Sequence, residues 1–323
     1  MRRIAGIALS IVLVVIIFLG SSSNFNAEEK TDFPVLKGDY FGQKLPGMQP
    51  EIFAPGIIST EAIEFQLVFS PASDELHFTR FNSAFKPEVW MSRKTGEVWS
   101  KPSKASFSIK QTASSPFFSA DGKKLYFMSD RLKTENAQAE KTMAIWVMEK
   151  KNDEWSEPTY VGFPKGYVTD FWIPRVAKDG YFYFGGKVKN SKYLDILRTK
   201  FKEGEFTSPE NLGNAVNNPD SQDVEPVISP DGSYMIFYSA FRDDQIGNKK
   251  LGDLYISFRN KDGNWTKTKN MGPEVNSIAE ENWPVISPDG RFIFFSSNRG
   301  QGNNFPDIYW VSSKVIDKLK PGK

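Results

Sequence analysis

The side chains best suited to bind or cleave a ligand in this sequence are acidic and aromatic residues that precede short apolar runs. They are Glu64, Asp170, Trp172, Asp223, Glu225, Glu281 and Trp283, with the nearby cation Arg175. Carboxylates beside aromatic faces can hold the hydroxyls and apolar face of a sugar, a cationic peptide or a metal ion. Two of the five carboxylates could instead act as acid and base in glycoside cleavage. The same residues could also be solvated, or could hold loops together.

Other reaction chemistries are excluded or disfavoured by composition. The chain has no cysteine, so thiolate chemistry and disulfides are excluded, and His77 is the only histidine, so a site with several histidine ligands is excluded too. A Ser-His-Asp triad would have to use His77, which stands within an apolar run and is interpreted as structural. The 41 basic and 39 acidic residues leave a net charge of +2, too small to indicate nucleic-acid binding.

The candidate residues belong to a segment that the chain repeats five times. Residues 224–242 and 282–299 are nearly identical, residues 114–131 are a close variant, and residues 172–187 and 65–80 are looser copies. Asp121, Asp179, Asp231 and Asp289 mark one turn in four of the copies, at separations of 52 to 58 residues. A repeat of this period built from short strands is typical of a propeller or a linear array.

Each complete copy contains four short runs that are predicted to be antiparallel strands. The first run ends at a turn such as Pro230-Asp231-Gly232, whose residue types suit tight turns, and an aromatic run follows. A polar loop then leads to a third run, and a final turn with one aromatic residue leads to a fourth. These aromatic residues, which we expect to lie in the core, are Trp99, Trp155, Phe206 and Trp265. Four antiparallel strands per copy form a propeller blade.

The predicted fold is therefore all-β: a single five-bladed β-propeller over residues 50–313. The fifth copy lacks its outer strand, and residues 50–53 resemble the segment that stands before the fourth copy. We expect this N-terminal segment to complete the last blade and close the ring, which leaves no sheet edge open. Residues 24–49 are predicted to be a linker, although a sixth, degenerate blade there is an alternative. Residues 314–323 are predicted to form a short C-terminal helix and tail.

Blade topology predicts where the candidate residues meet. The loops that lead into the first strand of every blade lie on one face, and the Asp-Gly turns lie on the other. The candidate carboxylates and tryptophans should therefore converge at one mouth of the central channel, and the turn aspartates are interpreted as structural. Arg131, Arg242 and Arg299 recur where the second strand ends, which favours a local ion pair or hydrogen bond over a ligand site.

The first residues of the chain have the pattern of a targeting signal. Residues 1–23 combine two arginines, an apolar run over residues 4–19 and small residues, which is typical of a secretory signal peptide. The alternative is a membrane anchor formed by residues 4–20, although its apolar run is short for the roughly 20 residues of a span. We expect an exported protein, periplasmic or extracellular, that meets the membrane only through this segment.

The motifs SPDG in the turns, SNR or SDR after the second strand, and Asp-Ile-Tyr in the third strand resemble the TolB-type, WD-like propeller repeat over residues 51–313. The resemblance implies an exported bacterial propeller of the cell envelope. Some such proteins are labelled sialidase-like, but sialidase boxes have one residue between Asp and Gly and a later tryptophan. Here Asp231-Gly232 and Asp289-Gly290 are adjacent, without that tryptophan. The pattern therefore argues against sialidase chemistry.

Together these patterns favour a non-catalytic binding module for a glycan or a protein segment of the envelope, acting as a monomer without a cofactor. Carboxylate-bound calcium is the one cofactor the residue types would allow. The alternative function is a glycan-cleaving hydrolase that uses two of Glu64, Asp170, Asp223, Glu225 and Glu281. A third reading is a docking component of an envelope complex, for which a broad exposed apolar patch would be the mark.

Overall fold

Five small antiparallel sheets, one for each copy of the repeat, form the computed structural model. It describes residues 33–132, 143–163, 168–300 and 306–322, without the side chains of residues 168–173. The sheets are the blades of a five-bladed β-propeller, so the predicted fold class is confirmed. The predicted signal peptide or anchor over residues 1–23 lies outside the described residues. Within the described ranges, no helix is long and apolar enough to cross a membrane.

The strands follow the predicted order within each blade. Two short strands come first, β1 (Leu36–Lys37) and β2 (Glu51–Ile52). Blade 1 contains β3 (Glu64–Phe69), β4 (Glu75–Phe81), β5 (Pro87–Thr95), β6 (Val98–Trp99) and β7 (Ser103–Lys104). Blade 2 contains β8 (Ala113–Phe118), β9 (Lys124–Ser129), β10 (Ala144–Lys151), β11 (Glu154–Trp155) and β12 (Thr159–Gly162). Blade 3 contains β13 (Val168–Val176), β14 (Tyr181–Val188), β15 (Asp195–Lys202), β16 (Glu205–Phe206) and β17 (Glu210–Asn211). Blade 4 contains β18 (Gln222–Ile228), β19 (Tyr234–Ala240), β20 (Asp253–Phe258) and β21 (Lys269–Asn270). Blade 5 contains β22 (Glu281–Ile286), β23 (Phe292–Ser297) and β24 (Asp307–Ser312). In the described part of the chain, three 3₁₀ helices span Asp39–Gly42, Ser106–Ser108 and Ser313–Ile316.

The N-terminal segment closes the ring, as predicted. β2 pairs antiparallel with β24, which gives blade 5 its fourth strand. Phe53, fully buried just after β2, places its ring centroid 5.1 Å from that of Phe294 and 5.2 Å from that of Trp310. These contacts tie the start of the folded chain to its last blade.

Part of the predicted linker is instead integral to the fold. β1 pairs with β6 on the outer side of blade 1. The 3₁₀ helix that follows β1 buries Tyr40 and Phe41 in the cluster that joins blades 1 and 5. Tyr40 lies between Phe69 and Phe292, at centroid distances of 5.3 and 5.1 Å. Two aromatic side chains in an otherwise polar segment contribute this packing, so no periodic pattern marked it in the sequence.

Hydrogen bonds from polar side chains connect neighbouring blades. Asn276, just before blade 5, accepts a hydrogen bond from the amide of Leu254 at 2.9 Å and donates one to its carbonyl at 2.9 Å. Asn217 bonds Ile196 in the same way between blades 4 and 3. Ser59 bonds both backbone groups of Ile308, and Ser108 accepts a bond from the amide of Val89. At four of the five junctions, a side chain from the loop before one blade is thus hydrogen-bonded to the backbone of the third strand of the preceding blade.

The C-terminus forms a shorter helix than the sequence predicts. One 3₁₀ turn, Ser313–Ile316, follows β24, and the side chain of Ser312 accepts a bond from the Lys314 amide. Val315 and Ile316 are buried in the cluster shared by blades 4 and 5. The chain end thereby covers the junction of these blades.

Candidate functional site

The predicted carboxylates of β18 and β22 lie inside ion pairs of their own blades. Asp223 is fully buried, and its Oδ1 accepts hydrogen bonds from Arg242 Nη2 at 2.7 Å and Ser239 Oγ at 2.6 Å. Burial raises the pKa of Asp223, although Arg242 and Ser239 act to lower it. Glu281 is also fully buried and lies 2.8 Å from Arg299 Nη2. Its two oxygens accept bonds from the hydroxyl and amide of Ser277.

Glu64 holds the corresponding position in blade 1. It is fully buried, lies 2.7 Å from Arg80 Nε and accepts a bond from Thr60 Oγ1 at 2.6 Å. Burial raises its pKa, against the lowering effects of Thr60 and Arg80. In blade 2, where Ala113 stands at this position, Arg131 instead bonds the Phe107 carbonyl at 2.7 Å.

The expected local pairing of the recurring arginines is thus confirmed. Each acidic group joins the first strand, the second strand and the preceding loop of a single blade. Glu64, Asp223 and Glu281 are therefore each engaged by an arginine of their own blade.

A different set of residues lies at a β-bulge in the first, innermost strand of each blade. The bulge residue has positive φ in four blades, at Gln66, Ser115, Glu225 and Trp283, with values from 49° to 59°. We call these four residues the bulge ring. A proline follows the last three of them, and proline cannot donate a ladder hydrogen bond, so it suits a bulge. Residue 173 holds this position in blade 3, where side chains are not described.

Glu225 connects the inner strands of three blades. Its Oε2 accepts a hydrogen bond from the backbone amide of Trp283 at 2.6 Å, and it interacts electrostatically with Arg175 and Glu280. Burial raises the pKa of Glu225 to about 8. The hydrogen bond from the Trp283 amide and the positive charge of Arg175 act to lower this pKa, and the negative charge of Glu280 acts to raise it. Burial also lowers the pKa of Arg175 to about 10, although Glu225 opposes this shift. A carboxyl that is mostly protonated at neutral pH therefore lies beside a half-buried guanidinium.

Aromatic and amide groups lie in the same ring. The ring centroid of Trp283 is 4.3 Å from that of Phe65, which joins blades 5 and 1. The indole Nε1 of Trp283 and both amide atoms of Gln66 are buried without a hydrogen-bond partner in the described structure. Glu280 accepts a bond from Tyr238 Oη at 2.9 Å. Because buried polar atoms normally have partners, these groups mark a place where a ligand could supply them.

Asp170 and Trp172 lie on β13, the inner strand of blade 3. Their side chains are outside the described residues. Of the residues predicted for the site, Arg175, Glu225 and Trp283 lie together in the structure. Glu64, Asp223 and Glu281 form ion pairs with arginines of their own blades. A metal site stays a prediction: among the described residues no three acidic, histidine or cysteine side chains cluster as ligands.

Sequence reasoning missed a cavity at the other end of the channel, on the face of the Asp-Gly turns. It measures about 310 Å³ and is lined by the inner strands of all five blades. The residues two positions after the bulge form one ring of its wall: Val68, Phe117, Arg175, Val227 and Val285. We call this space the axial cavity. Its signal in the sequence was a position that is apolar in four copies and arginine in the fifth.

No family model matches the chain, and no curated protein matches it in sequence. Among solved structures, TolB from Acinetobacter baumannii aligns with a TM-score of 0.50 and 16% identity, covering 80% of this chain and 54% of that one. This chain therefore spans about half the length of that protein. A protein described as TolB from Agrobacterium tumefaciens aligns at 17% identity and a TM-score of 0.46, covering 76% of this chain and 73% of that one. The catalytic domain of the Coprinopsis cinerea GH62 α-L-arabinofuranosidase aligns at 10% identity and a TM-score of 0.47, covering 82% and 98%. At these identities the similarity extends to the fold: this chain is a β-propeller that resembles the propeller of TolB.

Proposed function

We propose that this propeller is a non-catalytic binding module for a glycan, at the channel mouth where the first strands begin. The observation that carries the proposal is the pairing of Glu64, Asp223 and Glu281 with arginines inside their own blades. A glycosidase needs two carboxyl groups about 5–10 Å apart across the scissile bond. These three carboxylates are committed to structure, so they supply no such pair.

The bulge ring and its neighbours supply the groups that hold a sugar. The half-buried indole of Trp283, packed against Phe65, offers an aromatic face to the apolar face of a pyranose. The amide of Gln66 and the carboxylate of Glu280 can exchange hydrogen bonds with sugar hydroxyls. An aromatic surface with a few convergent polar groups is the usual composition of a ligand site.

The proposal is tested with the purified protein on a glycan array, followed by an assay for released sugar. We expect binding without product. Trp283→Ala should weaken binding to the best glycan at least tenfold, whereas Trp155→Ala, in a groove between blades 1 and 2, should leave it unchanged. Circular dichroism establishes that both variants are folded. Binding of protein segments instead of any glycan, or equal loss in both variants, would contradict the proposal.

Glycan cleavage is the second candidate, because one acidic pair remains in the channel. Glu225, with its pKa raised to about 8, has the protonation state of a general acid at neutral pH, and Glu280 is close enough to raise that pKa further. The same assay decides between the two functions. Release of sugar that Glu225→Gln abolishes would establish the hydrolase and exclude the binding module.

A further inference from the structure

The axial cavity on the turn face combines apolar walls with positive charge. Four of the five residues in its ring are Val or Phe, and the fifth is Arg175. Lys178 lies closer to the turns and also lines the cavity. Among the lining residues that the structure describes, none is acidic. A ligand that fits this wall is apolar over most of its surface and carries one negative group.

Arg175 is available to such a group. Its Nη1 is buried without a hydrogen-bond partner in the described structure, and its guanidinium carbon lies 5.8 Å from the ring centroid of Phe117. Arginine presents five donors and pairs with carboxylates through two parallel hydrogen bonds. A guanidinium nitrogen that is buried without such a partner is costly, so an incoming carboxylate is favoured there.

The neighbouring carboxyl does not cancel this charge at neutral pH. Glu225 is the acidic group that interacts with Arg175, and its raised pKa keeps it mostly protonated below about 8. The positive charge of the Arg175 guanidinium is therefore mostly uncompensated by Glu225 at neutral pH.

We propose that the axial cavity binds an apolar carboxylate, whose carboxyl group pairs with Arg175 and whose body packs against Val68, Phe117 and Val227. The volume of about 310 Å³ suits a small acid, since ligand sites of this kind start near 300 Å³. The cavity opens on the turn face, whereas the proposed glycan site opens on the other face. The two sites adjoin where Arg175 interacts with Glu225 of the bulge ring, and carboxylate binding here does not require a bound glycan. The same chemistry exists in free acids and at the C-terminus of a protein chain that ends in an apolar residue.

The test is calorimetric titration of the full chain with 3-phenylpropanoate, its neutral analogue 3-phenylpropanol, and the peptide Gly-Gly-Phe with a free or an amidated C-terminus. We expect saturable binding of a carboxylate, with the matching neutral ligand at least tenfold weaker. Tighter binding of 3-phenylpropanoate identifies a free acid as the source, and tighter binding of the peptide acid identifies a chain terminus. Both outcomes support the site.

Two variants locate the binding. Arg175→Met keeps an apolar side chain and should reduce carboxylate affinity at least tenfold, while 3-phenylpropanol binds as before. Arg198→Met removes a partly exposed arginine of the same blade, which pairs with Glu210 outside the cavity lining, and should leave the affinity for all the ligands unchanged. Val227→Phe fills the cavity and should block all the ligands. Equal binding of acid and neutral analogue, unchanged affinity in Arg175→Met, or failure of both carboxylates to bind would overturn the proposal.

Discussion

The most direct test of the channel electrostatics is Glu225→Gln. In the wild-type chain, burial raises the pKa of Glu225 from 4.5 to about 8. Folding thus favours the protonated carboxyl, so the unfolded chain binds fewer protons once the pH exceeds the unfolded pKa. The free energy of unfolding should therefore fall as the pH rises from about 4.5 to about 8. Glutamine has the same shape and stays neutral, so the variant should lack this component.

The magnitude follows from the two pKa values. One pKa unit corresponds to about 1.36 kcal/mol. Ionisation of Glu225 should therefore lower the free energy of unfolding by up to about 3.5 kcal/mol between pH 5 and pH 8. For a folded unit the size of Val35–Lys323 this corresponds to roughly 6 °C in Tm. Other buried carboxyl groups titrate as well, so the relevant quantity is the Tm of the variant minus that of the wild type.

The assay is thermal unfolding of both proteins, followed by circular dichroism at pH 5, 6, 7 and 8. The Tm difference should increase by about 6 °C in favour of Glu225→Gln across this range. Glu61→Gln, which removes an exposed carboxylate from the loop before β3, should track the wild type throughout. A Tm difference that stays within 1 °C from pH 5 to pH 8 would show that Glu225 is not desolvated in the folded protein, and would refute the reasoning.

Two further predictions concern the joints of the propeller. Asn276→Ala removes both hydrogen bonds to Leu254 and leaves buried backbone groups without partners. It should therefore lower the free energy of unfolding, measured in urea, by about 2–4 kcal/mol. Its control is Asn264→Ala, in an exposed turn, which should lower that free energy by less than about 0.5 kcal/mol. Phe53→Ala leaves a cavity between the N-terminal segment and blade 5, so it should lower the free energy of unfolding by about 3–5 kcal/mol in the same experiment. The control is Ile109→Ala, because Ile109 is 61% exposed. An equal loss of stability in the two variants would contradict the ring closure.

The blade architecture could be predicted because its determinants are local. A turn such as Pro230-Asp231-Gly232 specifies a tight reversal through the conformational preferences of three adjacent residues. In the structure Asp231 accepts bonds from Ser229 Oγ at 2.6 Å and from the Ser233 amide at 3.0 Å, all within the turn. The repetition of this unit, with an outer strand missing at one end of the chain, was sufficient to predict five blades and their closure by β2.

The candidate site could be predicted only in part, because its residues are neighbours through the channel and not along the chain. Sequence alone identified Arg175, Glu225 and Trp283 as departures from the repeat. It could not decide that Asp223 pairs with Arg242, since that depends on the register of two strands. Nor could it show the contact of Glu225 with blades 3 and 5, because closing the ring is what brings these inner strands together. The local chain chemistry thus determined the blades. Only their tertiary arrangement decided that Asp223 is paired with Arg242 and that Arg175 Nη1 is buried without a hydrogen-bond partner in the described structure.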